Sequence, residues 1–311
     1  MTSRERLVTA LNHKEPDRIP FDIGSTVVSG IQAVEYNKLK KTLGINSGEV
    51  YVYDTLQQLA WVEDEVREKL GIDTKCVVPD NISAREAGEL SDGSPAMVPE
   101  GFHPEVLPDG SKVIRDKKGY WGANEENAVT QIMPPGGYYY DIPYHPLQSA
   151  QTEEDIDNFT YYWDQDEATK DHWRKALDDA VNNTDYGIVV DTLWAGYGQN
   201  YEVLENLRGW DTFLMDLMTD KKLSQYMLDT RLEAVLKRWD MMLNIIENKP
   251  QVVCIGDDLG IQSGLQLPPE VYREMIKPVH KKFIDFIKAR TDAKIFLHSC
   301  GSVYEVIPDL V

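Results

Sequence analysis

Cysteine is scarce: Cys76, Cys254 and Cys300 are the only three in 311 residues. They are too few and too scattered for a disulfide framework. Long apolar runs are missing too. No stretch reaches the roughly 18 residues a membrane span needs, and the opening "MTSRERLVTALNHKEPDRIPFD" has no apolar signal core. The expected compartment is therefore the cytoplasm. Positive charge is short, with 32 Lys and Arg against 52 Asp and Glu, a formal net charge of -20. Such a surface repels phosphate backbones and anionic membranes, which excludes nucleic acid and membrane as partners. It says little about a small substrate, because one pocket can differ in sign from the whole surface. No glycine fingerprint follows the first apolar segment, which argues against a dinucleotide fold.

What is there reads as an ordinary globular chain, 42% hydrophobic and 27% charged. "SRERLVTALNH" predicts a helix that Ser3 can cap, ended by the prolines of "KEPDRIP". "IPFDIG" predicts a first strand. "AVEYNKLKKTLG" and "VYVYDTLQQLAWVEDEVREKLG" predict helices closed by Gly44 and Gly71, and "TKCVVPD" a short strand. From about Ser91 to Tyr144 the pattern turns strand-like and turn-rich, with a hairpin expected at Asp109-Gly110. This segment reads as an insertion, a lid or a rim, on a larger scaffold. It carries the aromatic run Tyr138, Tyr139, Tyr140 and Tyr144 beside His145.

Beyond Thr152, short apolar strands alternate with long helices. "GIVVDTL", "VVCIGDD" and "KIFLHSC" predict parallel strands in repeated βα units. The pattern alone suits an open sheet or a closed barrel. Each strand ends in polar residues: Asp191, then Asp257 and Asp258, then His298 and Cys300. In a barrel those ends line the active face. His298 and Cys300 stand two apart, so on a strand they share a side. Imidazole and thiolate form a ligand pair suited to zinc, and a third donor is needed. Asp257, Asp258 and Cys254 are the candidates, with a strand-end carboxylate favoured over a cysteine earlier in its apolar run. The plainer reading of the pair is a packed histidine beside an inert thiol.

The stretches "DRIPFDIGST", "LWAGYGQNYEVLENLRGWDTFLMDLMTD", "VVCIGDDLGIQSGLQLPPEVYREMIKPVHKKFIDFIK" and "KIFLHSCGSVYEVIPDLV" resemble the uroporphyrinogen decarboxylase superfamily. They are most similar to its branch of cobalamin-dependent (corrinoid) methyltransferases and O-demethylases. The likeness runs from the first strand to the last residue and is weakest over Ser91 to Tyr144. It implies an α/β fold, a TIM barrel (β/α)8 in a single domain over 1–311. That domain would carry an N-terminal helical extension and the insertion at about 91–144. Because the chain reaches only about the sixth strand of eight, the last barrel units would lie beyond Val311. The resemblance also implies zinc held by His298 and Cys300, with a distant later cysteine that would fall after Val311.

The activity implied is methyl transfer between a small substrate and the cobalt of a separate corrinoid protein. That substrate would be a methyl donor, such as a methoxylated aromatic, or a thiol acceptor. A homodimer is implied as well. In this scheme Asp257 or Asp258 is the third ligand or an acid–base group, and Asp22, at the end of the first strand, orients substrate. Asp191, Trp194, Tyr197 and Tyr140 form the pocket wall. His280, inside a helical pattern, is expected to make a helix contact outside the site. The runner-up is decarboxylation of a tetrapyrrole. It fits worse, because a substrate with many carboxylates needs paired cations, and no arginine occurs between Arg18 and Arg67.

Overall fold

The computed structural model describes residues 1–78, 85–115, 127–159, 161, 167–192 and 199–311. Helix α1 spans Ser3–Leu11 and is capped by Thr2 rather than Ser3. The Thr2 hydroxyl accepts from the Glu5 N–H at 3.1 Å, and the Glu5 carboxylate accepts from the Thr2 N–H at 2.8 Å. Two end groups are thereby satisfied reciprocally. The expected strand "IPFDIG" is not formed. The Phe21 carbonyl accepts from the Asp73 N–H, but the Phe21 N–H donates to the Asp73 carboxylate at 2.8 Å. Pro20 offers no N–H, and a side chain stands where a partner backbone would be, so no ladder propagates. The segment still runs beside the sheet: the Val27 N–H reaches the Asp191 carboxylate at 2.7 Å.

Helix α2 (Ala33–Thr42) is followed by β1 (Val52–Asp54), β2 (Leu59–Ala60) and α3 (Asp64–Leu70). The long helix expected over residues 50–71 therefore shrinks to its last third. The Asp54 carboxylate accepts from the Leu56 N–H at 3.0 Å and turns the chain, Gln58 adopts a positive φ of 56°, and Val52 pairs with Ala60. The alternating Val and Tyr residues at 50–53 suit an extended strand. Strand β3 (Thr74–Val77) comes next.

The strand-rich stretch begins earlier than Ser91. Strands β4 (Arg85–Glu89) and β5 (Pro95–Pro99) pair as a hairpin. Strands β6 (Glu105–Val106), β7 (Lys112–Arg115) and β8 (Val129–Met133) form an antiparallel sheet. The turn at Asp109-Gly110 is where the sequence predicts it. Gly110 takes a φ of 87°, and the Asp109 carboxylate accepts from the Ser111 N–H at 2.9 Å.

Helices α4 (Glu153–Asp157) and α5 (Glu167–Asn183) lead into β9 (Gly187–Asp191). Helices α6 (Tyr201–Arg208), α7 (Trp210–Thr219) and α8 (Lys221–Ile246) precede β10 (Val252–Gly256). After the small pair β11 (Gly260–Ile261) and β12 (Gly264–Leu265) come α9 (Pro269–Val271), a π-helical segment (Tyr272–Ile276) and α10 (Lys277–Lys288). Pro278 lacks the N–H that an α-helical turn would use there, and the wider π turn just before it absorbs the fault. The chain then forms β13 (Lys294–His298) and α11 (Ile307–Leu310).

The central sheet runs in the order β13-β10-β9-β3, with every described pairing parallel. Among these four, each strand lies beside the one before it in the chain instead of doubling back. This barrel-like winding places all four strand ends on one face. Among the described residues the sheet has these four strands, with β3 and β13 at its edges. Strands β9 and β10 are buried throughout, as expected for parallel strands covered on both sides. A large apolar cluster packs α5 to α10 against the sheet, centred on Trp173, Leu177, Phe213, Trp239 and Phe283. A second, around Tyr36, Val52, Val66, Ile72 and Val98, joins α2, α3 and the β4–β5 hairpin. Among the described residues no helix is long and apolar enough to cross a membrane.

Candidate metal centre

Parallel pairing sets Gly256 opposite His298, so the chain leaving β10 and the chain leaving β13 emerge side by side. The two loops are then stitched together. The Asp257 N–H donates to the His298 carbonyl at 3.1 Å, the Leu259 N–H to the Ser299 hydroxyl at 2.8 Å, and the Ser302 N–H to the Ile261 carbonyl at 2.8 Å. Gly301 makes the close approach feasible. Its φ is 77°, and a Cβ there would stand 2.2 Å from the Gly260 carbonyl carbon.

This stitching gathers three donors. Cys300 Sγ lies 3.4 Å from His298 Nε2, and His298 Nε2 lies 3.5 Å from Asp258 Oδ1. One ligand atom from each of Asp258, His298 and Cys300 falls within 4.8 Å of the others. A tetrahedral zinc, with bonds of about 2.3 Å to sulfur and about 2.0 Å to nitrogen or oxygen, sets its donors about 3.3–3.6 Å apart. The His298–Cys300 and His298–Asp258 separations fit that geometry. The Cys300 N–H also donates to Asp258 Oδ1 at 2.7 Å, fixing the carboxylate. Partial burial first, then the Asp258 and Glu202 carboxylates, push the Cys300 thiol up to about 12.

Asp257 points the other way. Its carboxylate accepts from the backbone N–H groups of Gln199 at 3.0 Å, Asn200 at 3.2 Å and Glu202 at 3.0 Å, where α6 begins. His280 Nε2 on α10 stands 3.0 Å from its other oxygen. Asp257 thus caps a helix, and His280 makes the contact that holds the cap. Of the three candidate third donors, only Asp258 joins the pair. Cys254 is fully buried, and its sulfur lies 3.9 Å from the Ile255 carbonyl.

The three donors open onto a cavity of about 510 Å³. Its lining also includes the run Tyr138, Tyr139 and Tyr140 together with Gln57. Tyr140 is buried against Phe102 edge to face, and burial pushes its hydroxyl up to about 12. Asp22 and Asp191 do not line this cavity. Asp22 hydrogen-bonds to Thr74 at the start of β3, and Asp191 is fully buried, holding the Val27 N–H. Both anchor the segment whose Val28 and Gly30 reach the cavity. Trp194 and Tyr197 lie outside the described residues.

Glu202 escaped the sequence reading. It sits in the first turn of α6 and lines the cavity beside Asp258, and its carboxylate accepts from the Asp258 N–H at 3.3 Å. Burial first, then the charges of Asp258 and Asp257, pushes its carboxyl well above the usual range. One turn on, Glu205 is buried, its Oε1 has no hydrogen-bond partner, and burial chiefly pushes it up to about 9. Two acids spaced three apart among the apolar residues Tyr201, Val203, Leu204 and Leu207 were the signal available in "YEVLENL".

Residues 203–311 match the protein-family model Uroporphyrinogen decarboxylase (URO-D). The matched region contains β10, β13 and all three gathered donors, while Glu202 lies just outside it. Among solved structures, a "methyltransferase from Methanosarcina mazei" is similar at 16% identity with a TM-score of 0.47, covering 100% of this chain and 73% of that one. No curated protein matches the chain.

Proposed function

We propose that the chain is a zinc-dependent methyltransferase that moves a methyl group between a small substrate and the cobalt of a corrinoid (cobalamin) partner protein. The observation that carries this reading is the convergence of Asp258, His298 and Cys300 at adjacent strand ends, open to a cavity. The family match over residues 203–311 is to the uroporphyrinogen decarboxylase model, the superfamily within which this reading falls. The three residues would hold the ion through carboxylate, imidazole and thiolate, leaving a position open to the cavity, as catalytic zinc sites do. When bound, zinc supplies the positive charge that activates a thiol acceptor or polarises the heteroatom bearing a methyl group. Asp258 is fixed by the Cys300 N–H, and the donor loops are fixed by their mutual hydrogen bonds. Tyr140 and its neighbours would form the wall against which a substrate such as a methoxylated aromatic packs. Tetrapyrrole decarboxylation is less well supported, since no Lys or Arg is among the described residues lining the cavity.

Metal analysis of the reconstituted protein tests the proposal. About one zinc per chain is expected, with loss of affinity on the order of a hundredfold in His298→Ala, Cys300→Ala and Asp258→Ala. Zinc retained at full stoichiometry and affinity by all three variants would remove the metal from this site. Demethylation of a methoxylated aromatic, read out on an added corrinoid protein, then tests the transfer itself.

A further inference from the structure

The loop that carries Asp258 has a second anchor, in a residue that does not line the cavity. Gln266 follows β12 directly and is partly buried. Its side-chain Nε2 donates to the Asp258 carbonyl at 3.0 Å, and its backbone N–H donates to the Leu259 carbonyl at 2.9 Å. Its Oε1 accepts from the Trp210 Nε1–H at 2.9 Å and from the Tyr201 hydroxyl at 3.1 Å. The amide can sit only one way round. An indole N–H donates and never accepts, and a carbonyl accepts and never donates. Turned over, the amide would set its NH2 against the indole N–H and its oxygen against the Asp258 carbonyl. Trp210 therefore fixes the amide, and the amide fixes the peptide that follows Asp258. Tyr201 and Trp210 are the first residues of α6 and α7, so Gln266 ties both helices to the loop leaving β10.

We infer that Gln266 is a positioning residue of the metal centre: by holding the Asp258 main chain, it keeps the Asp258 carboxylate against His298 and Cys300. The inference rests on the metal centre of the methyl-transfer reading and not on the transfer itself. The Asp258 side chain is 25% exposed, so packing alone does not hold it. Hydrogen bonds take that part at both ends of the residue. Gln266 holds its carbonyl, and the Cys300 N–H holds its Oδ1 at 2.7 Å. A carboxylate held in this way has little rotational freedom left to lose when a cation arrives, which is how a partner outside the ligand set raises metal affinity.

Zinc affinity, measured on the full chain by competition with a chelator, tests this. Gln266→Met keeps the length of the side chain and removes both its donor and its acceptor, while Gln266→Ala removes the volume as well. Each is expected to lower zinc affinity about tenfold. In an Asp258→Ala background the same substitutions should cost less than about twofold, because the carboxylate through which Gln266 acts is gone. Cobalt(II) loaded in place of zinc reads the coordination itself. The visible bands of Gln266→Met should move toward those of Asp258→Ala, whereas a role in packing alone would leave them as in wild type. Wild-type affinity and spectrum in Gln266→Met, or equal losses with and without the Asp258 carboxylate, would overturn the inference while the metal reading stood. Wild type that takes up neither zinc nor cobalt would remove the metal centre and this role with it.

Discussion

Removing the Asp257 carboxylate should cost far more stability than its place in a surface-facing loop suggests. The side chain is 3% exposed and accepts from three backbone N–H groups at the start of α6, with His280 Nε2 at 3.0 Å. Hydrogen bonds to a charged group contribute roughly 1.5–3 kcal/mol each, though they do not add. A helix cap alone is worth about 1 kcal/mol, and breaking one side of a buried polar pair costs about 3–5 kcal/mol. Asp257→Ala is therefore expected to lower unfolding stability by about 4 kcal/mol, and Asp257→Asn, which keeps one acceptor oxygen, by about 2 kcal/mol. Urea denaturation followed by far-ultraviolet circular dichroism measures both. A double-mutant cycle with His280→Ala should return a coupling of about 1–2 kcal/mol. Asp258 and Glu202 flank this clamp, so the same variants should weaken zinc binding about tenfold. A loss below about 1 kcal/mol for Asp257→Ala, or a strictly additive cycle, would refute the account of Asp257 as the clamp between β10, α6 and α10.

The strand ends were legible because β9, β10 and β13 are short, branched-aliphatic runs between long amphipathic helices, and burial on both faces needs just that composition. His298 and Cys300 were legible as a pair because spacing of two on an extended chain puts side chains on one side. The partner carboxylate was not. Asp257 and Asp258 are adjacent, so an extended backbone sends them to opposite sides, and only the position of α6 decides which faces the cavity. Glu202 stands 56 residues before Asp258 on another helix, and no local pattern joins them. The helix expected over residues 50–71 failed for a local reason that periodicity ignores: Asp54 closes a turn with its own side chain. His280 reaches Asp257 from the turn that follows the π segment, a shift of register that a uniform helical wheel does not contain.

Glu205→Gln tests the buried acid behind the cavity. Folding holds a proton on Glu205 up to about pH 9, whereas the unfolded chain releases it near its ordinary range, so its contribution to stability is lost as pH rises from about 4.5 to about 9. The variant should therefore gain on the order of 4 kcal/mol over wild type between pH 5 and pH 8; a flat difference across that range would count against a buried proton. Asp73 has the opposite sign. Burial opposes its ionisation, but the Phe21 N–H, Arg18 and Arg6 outweigh it and lower its value, so its stabilisation is present above the ordinary carboxylate range and lost as pH falls through the lowered one. Asp73→Asn should flatten the acid limb of stability against pH, and an unchanged limb would assign it elsewhere. Gly301→Ala probes the join between the two donor loops. Its Cβ would meet the Gly260 backbone at 2.2 Å, and backbone atoms cannot rotate away. Gly110→Ala is the control: its φ is also positive, at 87°, but its Cβ would meet only the Pro135 side chain at 3.5 Å. The control should lose about 1 kcal/mol from the left-handed backbone alone, with zinc binding intact. Gly301→Ala should lose about 3 kcal/mol or more and release zinc, because separating the loops carries Cys300 away from Asp258. Equal losses in the two variants, with zinc retained in both, would mean that the loops do not depend on their close contact to assemble the site.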